Sequence, residues 1–148
     1  MNELRSILLA EDNLDDVELT LAGLSALNLA NEVVVTRDGV EALDYLYCRG
    51  KYATRNNINP AVVLLDLKLP KMNGLEVLSE IKSHQAFKSI PVVMITASTK
   101  ENDLARSYQL GANAYVVKPV NYRDFVGALR RVGAFWAVLN ESPPGALP

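Results

Sequence analysis

The stretch AVVLLDLKLPKMNG, residues 61–74, runs five apolar residues into a single carboxylate, Asp66, and follows it with a turn carrying Pro70 and Gly74. A run this short and this rich in Val and Leu is strand-sized. Because it is continuous and not alternating, it suits a parallel strand covered by helices on both faces. Four more runs of the same kind occur at residues 6–10, 32–36, 90–96 and 114–117.

The segments between them have helical spacing. The first carries Leu14, Val17, Leu21 and Leu24, and the second opens on Asp38 and Glu41, a capping-box spacing ahead of Leu43 and Leu46. Further helices are expected from about Gly74 to Ser83, from about Lys100 to Leu110 with Gly111 ending it, and from about Tyr122 onwards. The alternation predicts an α/β fold, a (βα)5 doubly wound parallel five-stranded sheet with the flavodoxin-like strand order 2-1-3-4-5. In such a sheet, ligand sites lie beyond the carboxyl ends of the strands.

The 148 residues fit one domain. We expect a core over about residues 4–131, an extension of the fifth helix over 132–141, and a flexible tail over 142–148, where SPPGALP follows Glu141. The 49% hydrophobic content is ordinary for a globular chain, and the net charge of −2, with signs interspersed, gives no footprint for nucleic acid or anionic lipid. No apolar stretch approaches the roughly 20 residues that span a bilayer. The single cysteine, Cys48, allows no internal disulfide, and the start lacks a signal peptide, so a reducing cytoplasm is the expected location. The polar segment 48–60, CRGKYATRNNINP, is longer than connections of this kind usually are.

The expected strand ends carry the chemistry. Glu11 and Asp12 follow the first strand, Asp66 closes the third, Thr96 closes the fourth, and Lys118-Pro119 follows the fifth. In the order 2-1-3-4-5 these four strands lie side by side, so the groups share one cleft. Three carboxylates so close repel one another unless a cation sits between them, and hard oxygen ligands suit Mg2+ better than zinc. Lys118 supplies a second cation, and Thr96 offers a hydroxyl to a phosphoryl oxygen.

With LLAEDN, LLDLKLPKMNG, VVMITAS and GANAYVVKPV in this order, the chain resembles the response-regulator receiver domains of two-component signalling from about Leu4 to Arg131. The resemblance implies that Asp66 is the phosphoacceptor for a histidine kinase. It also implies that Asp12 and Asp66 ligate Mg2+ through carboxylates, Lys68 through its backbone carbonyl, and Glu11 through water. Thr96 would be the switch hydroxyl and Tyr115 the switch aromatic, and the Lys118-Pro119 bond is expected to be cis. GKYATRNN and ARSYQLGANAYVVKPV look like the single-domain regulators that partner bacterial phytochrome kinases. Two positions depart from many relatives. The acidic pair is Glu-Asp where Asp-Asp is common. Lys68 stands where Asn is frequent and is expected to alter how water reaches a phosphoryl group.

Plainer readings compete at each position. Asp66 is also a possible cap, Glu11 and Asp12 possible partners of Asn13 in starting the first helix, and Tyr115 a possible core residue. Cys48 reads as a small buried hydrophobe and His84 as a surface residue, and neither is given a role. A phosphatase of the haloacid dehalogenase type would want a second Asp two residues after the first, where Lys68 stands. A flavodoxin-like nucleotide binder would want glycines after the first strand, where AEDNLDD is acidic. The protein is therefore expected to be a phosphoacceptor and not an enzyme with a separate substrate. In the last helix, Phe125, Leu129, Val132, Trp136 and Leu139 form a heptad-like stripe. Part of it must be core, and the plainer reading packs Phe125 and Leu129 on the sheet with Trp136 and Leu139 over a neighbouring loop. The favoured expectation is an apolar end that buries itself in a second copy, giving a homodimer through the fourth helix, fifth strand and fifth helix.

Overall fold

The computed structural model describes residues 5–25, 31–119 and 121–131, the side chains of Tyr122 and Leu129 excepted. Five strands, β1 (Ile7–Ala10), β2 (Val33–Thr36), β3 (Val62–Leu65), β4 (Val92–Thr96) and β5 (Ala114–Val117), alternate with helices α1 (Leu14–Ser25), α2 (Gly39–Tyr47), α3 (Gly74–Ser83), α4 (Glu101–Gln109) and α5 (Tyr122–Arg131). All neighbours pair in parallel in the order β2-β1-β3-β4-β5, which is the expected doubly wound sheet.

The continuous apolar runs are explained by a core on each face of the sheet. Along β1, Leu8 and Ala10 pack with Ala42, Leu46, Val77 and Leu78 of α2 and α3, whereas Ile7 and Leu9 pack with Val17, Leu24, Phe125 and Ala128 of α1 and α5. Alternate side chains of one strand thus enter opposite layers, and both layers are built of buried apolar side chains.

Local signals behave mostly as read. Asp38 accepts the Glu41 amide at 2.7 Å, but the Glu41 carboxylate reaches the amide of Arg37, one residue earlier than a capping box requires. The full reciprocal box forms instead at the start of α3, between Asn73 and Glu76. Gly111 ends the α4 segment at φ +105°, a conformation that disfavours any side chain. Leu14 departs from its expected place in the core stripe. It is 62% exposed because the first residue of α1 stands above the end of the sheet, and Val17, Thr20 and Leu24 form the buried face instead.

The polar segment 48–60 is an ordered clasp. Cys48 closes α2 in the left-handed conformation, half-buried and not a core residue. A 3-10 turn, Gly50–Tyr52, then brings the Tyr52 hydroxyl to Glu41 at 2.7 Å and Lys51 to the same carboxylate at 2.8 Å. Arg55 folds back with its guanidinium 3.9 Å from the centre of the Tyr45 ring and donates to the Tyr45, Asn56 and Ile58 carbonyls. His84 caps α3 and stacks on Phe87 at 4.4 Å, so it is half-buried where a surface position was expected.

Candidate functional site

The sheet register assembles the site. Ala10 of β1 pairs with Leu65 of β3, so the residues that follow each of them leave the carboxyl edge side by side. The ladder runs one step further: the Asp66 amide donates to the Ala10 carbonyl at 3.1 Å, the Glu11 amide to Thr36 at 2.9 Å, and the Lys118 amide to Thr96 at 2.8 Å. Backbone hydrogen bonds therefore hold the first residue beyond β1, β3 and β5 as firmly as the strands themselves. The Lys118-Pro119 bond is cis, as expected.

The side chains converge. Carboxylate oxygens of Glu11, Asp12 and Asp66 lie within 4.8 Å of one another, the one cluster among the described residues close enough to hold a metal ion through His, Cys or acidic groups. Glu11 and Asp66 are 2% and 6% exposed, and Asp12 is open to solvent. Lys118 reaches across the cleft, its ammonium 2.5 Å from Glu11 Oε1, 2.8 Å from Asp16 Oδ2 and 3.0 Å from Asp66 Oδ2. The amide of Lys68 donates to Asp66 Oδ1 at 3.3 Å, while the Lys68 side chain is exposed.

The charge balance follows from these contacts. Burial pushes Glu11 up to about 7, with the Lys118 ammonium pulling it down and the neighbouring Asp66 pushing it further up. For Lys118, burial acts against the charge, yet hydrogen bonds to Asp16, Glu11 and Asp66 outweigh it and raise its pKa above the ordinary lysine value. One ammonium does not neutralise the carboxylates gathered there. The donor set is all oxygen, hard and partly open to water, and it fits a magnesium-like divalent cation.

Thr96 is 1% exposed, and its hydroxyl accepts the Ser98 amide at 3.2 Å. Tyr115 is half-buried and donates from its hydroxyl to the Ser98 carbonyl at 3.1 Å, while Ser98 Oγ bonds Asp103 in the first turn of α4 at 2.5 Å. The loop after β4 thus links the cleft to Tyr115 and α4 through one residue, Ser98.

Phe125 is removed from the proposed dimer stripe. It is 1% exposed in the layer between the sheet and α1, where it fills the monomer's own core. Val132, Trp136 and Leu139 lie outside the described residues, as does the Leu129 side chain. Asp16 was missed by sequence reasoning. Three places into α1, it reads as a helix-start acid, and its amide does donate to the capping side-chain oxygen of Asn13 at 3.0 Å. No local spacing predicts its contact with Lys118, 102 residues away in the chain.

Solved structures of two bacteriophytochrome response regulators resemble this chain throughout. AtBRR is 59% identical with a TM-score of 0.86, covering 95% of this chain and 100% of that one. RtBRR is 57% identical with a TM-score of 0.85, covering 97% and 86%. Response regulator Rcp1 of Synechocystis sp. is 38% identical over 135 residues, 91% of this chain and 90% of its own, and its Mn2+-bound crystal structure superposes with a TM-score of 0.75. The family model described as the response regulator receiver domain matches residues 7–130, a span that takes in every group gathered at the strand ends. With the fold, the cleft and that match in agreement, the chain belongs to the family of response regulator receiver domains.

Proposed function

We propose that this receiver accepts a phosphoryl group on Asp66 from a histidine kinase, in a Mg2+-dependent reaction, and passes the change on through its α4–β5–α5 face. The observation that carries this reading is the meeting of Asp66 with Glu11, Asp12 and Lys118 at the carboxyl edge of the sheet. The P–N bond of a phosphohistidine breaks as a bond forms from phosphorus to an Asp66 carboxylate oxygen, and the histidine keeps the electron pair and takes up a proton. Asp12 and Asp66 would hold Mg2+ through their carboxylates, Glu11 through water and Lys68 through its backbone carbonyl. The ion would supply charge neutralisation at the phosphoryl oxygens. Lys118 already donates to Asp66 and is placed to transfer that hydrogen bond to a phosphoryl oxygen. The Thr96 hydroxyl, at the end of β4 and in register with Val117 of β5, would supply a second donor.

Phosphorylation adds about −1.5 to −2 charge beside the loop that Thr96, Ser98 and Tyr115 share. Drawing Thr96 toward the phosphoryl group disturbs the Ser98 contacts with Tyr115 and Asp103, which biases α4 and β5 between two arrangements. Likeness to the bacteriophytochrome regulators AtBRR and RtBRR favours a phytochrome-type kinase as donor. Incubation with acetyl phosphate and Mg2+ should add one phosphoryl group by mass, and EDTA should prevent it. Absence of any gain with Mg2+ present would sink the reading.

Lys68 sets the lifetime in this scheme. Its exposed ammonium, adjacent to Asp66 in sequence, would hold the phosphoryl dianion and shield it from water. We expect Lys68→Asn to shorten the phosphoprotein's half-life about threefold, the scale of a solvent-exposed ion pair. Equal half-lives in a chase after acetyl phosphate removal would refute it.

The output surface is proposed to pair with a second copy. Leu104 and Tyr108, four residues apart on α4, and Val117 on the edge strand β5 are large apolar side chains left 38–47% exposed. With residues 132–141 they would bury a common face. Sedimentation at micromolar concentration should show a dimer. A monomer unchanged by beryllofluoride would exclude it.

A further inference from the structure

Building on Asp66 as the phosphoacceptor, we infer that Asp16 is a positioning residue that holds the Lys118 ammonium while the phosphoryl group arrives. An ammonium has three N–H donors, and here each has a carboxylate: Glu11 at 2.5 Å, Asp16 at 2.8 Å and Asp66 at 3.0 Å. Two of the three acceptors have another claim on them. Glu11 and Asp66 belong to the acidic set whose oxygens lie within 4.8 Å of one another, and Asp66 is also the group that changes chemically. Asp16 is outside that set, so its bond to Lys118 is the one that neither a cation nor the phosphoryl group competes for.

The placement of Asp16 supports this role. Its amide is bound to Asn13, so the first turn of α1 fixes its backbone, and its side chain is 30% exposed against 11% for Lys118. A carboxylate at that turn also favours the helix macrodipole, and any first-turn acid would do the same, without reaching β5. Reaching Lys118 adds a specific function: with two N–H groups engaged by Glu11 and Asp16, the third points at Asp66 Oδ2. With oxygens of Glu11 and Asp66 shared with a bound Mg2+, Asp16 would be the acceptor left to keep the nitrogen at the mouth of the cleft.

The test uses the full chain with Mg2+ and acetyl phosphate. Asp16→Ala should slow phosphorylation at saturating acetyl phosphate about tenfold, the loss of one hydrogen bond between charged groups. Mg2+ affinity by calorimetry should stay within about twofold, since Asp16 is not in the acidic set. Asp16→Asn keeps an oxygen at the same reach and should recover most of the rate. In wild type without phosphate or metal, the Lys118 Nζ–H correlation in a 15N spectrum should be protected from exchange, and it should vanish in Asp16→Ala. A rate within twofold of wild type, a Mg2+ affinity that falls in step with the rate, or an unchanged Nζ signal would each overturn the assignment. A wild-type chain that takes up no phosphoryl group would instead overturn Asp66 as acceptor, and the Nζ signal would still decide Asp16.

Discussion

Asp66→Ala is expected to abolish phosphoryl uptake from acetyl phosphate, with incorporation reduced at least a hundredfold, while leaving the fold intact. Uptake should vanish because the reacting carboxylate is gone and its neighbours are committed. Glu11 is hydrogen-bonded to Lys118 and to the Asn13 amide, so its oxygens are already engaged. The fold should survive because Asp66 follows β3 and takes no part in either apolar layer. Lys118 is not orphaned by the change, since Glu11 and Asp16 still accept from it. Removing one carboxylate also relieves repulsion in the metal-free cleft. The thermal midpoint should therefore move by no more than about 4 °C in either direction, roughly 1 kcal/mol for a chain of this size. Intact mass after acetyl phosphate treatment and a melting curve check both parts. Wild-type phosphorylation in the variant would remove Asp66 from the mechanism.

Gly74→Ala should destabilise the protein by about 3 kcal/mol and slow phosphorylation as well, although the same exchange in an open helix stabilises. At an unhindered helical position, Ala is favoured over Gly by roughly 0.8–1 kcal/mol. Gly74 opens α3 directly beneath Asp66, and its amide donates to the Leu67 carbonyl at 2.8 Å. A Cβ there would overlap the Asp66 carbonyl oxygen and stand 2.8 Å from Leu67 Cα. Backbone cannot yield as a flexible side chain does, so either α3 or the Asp66 loop must shift, at an overpacking cost of about 1–3 kcal/mol or more. Gly127 in α5 is the internal control. A Cβ on it meets nothing within 4 Å, so Gly127→Ala should stabilise by up to about 1 kcal/mol. Urea midpoints of the two variants should move in opposite directions. A stabilised Gly74→Ala would show that the turn after Asp66 is not held as tightly as its contacts indicate.

Much of this protein was readable from its chain because the deciding signals are short-range. The five apolar runs are continuous since both faces of the sheet are covered, and that burial appears directly as the absence of polar alternation. Asp66, Thr96 and Lys118 were legible because each polar group ends an apolar run, and in a doubly wound sheet a strand's end is where a site is built. The segment 48–60 was not legible in the same way. Its order comes from Arg55 stacking on Tyr45 and from Tyr52 and Lys51 meeting Glu41, contacts between residues that are each unremarkable polar or aromatic positions in sequence. Phe125 was misplaced for a related reason. A heptad-like stripe marks which face of a helix is apolar, but not whether the cover is the chain's own sheet or another molecule.

The sequence alone carried the fold class, through the alternation of β and α units, and the identity of the groups at the strand ends, while the strand order is seen in the assembled sheet. Composition and period-level patterning carry that information, and each element expresses it over a few consecutive residues. Only the tertiary structure decided which side chains share Lys118, why Glu11 is raised, and that Asp16 belongs with them. The physical reason is distance along the chain. Whether two charges 102 residues apart lie 2.8 Å from each other depends on sheet register and on the seating of α1 against β5's end, and no local preference encodes either.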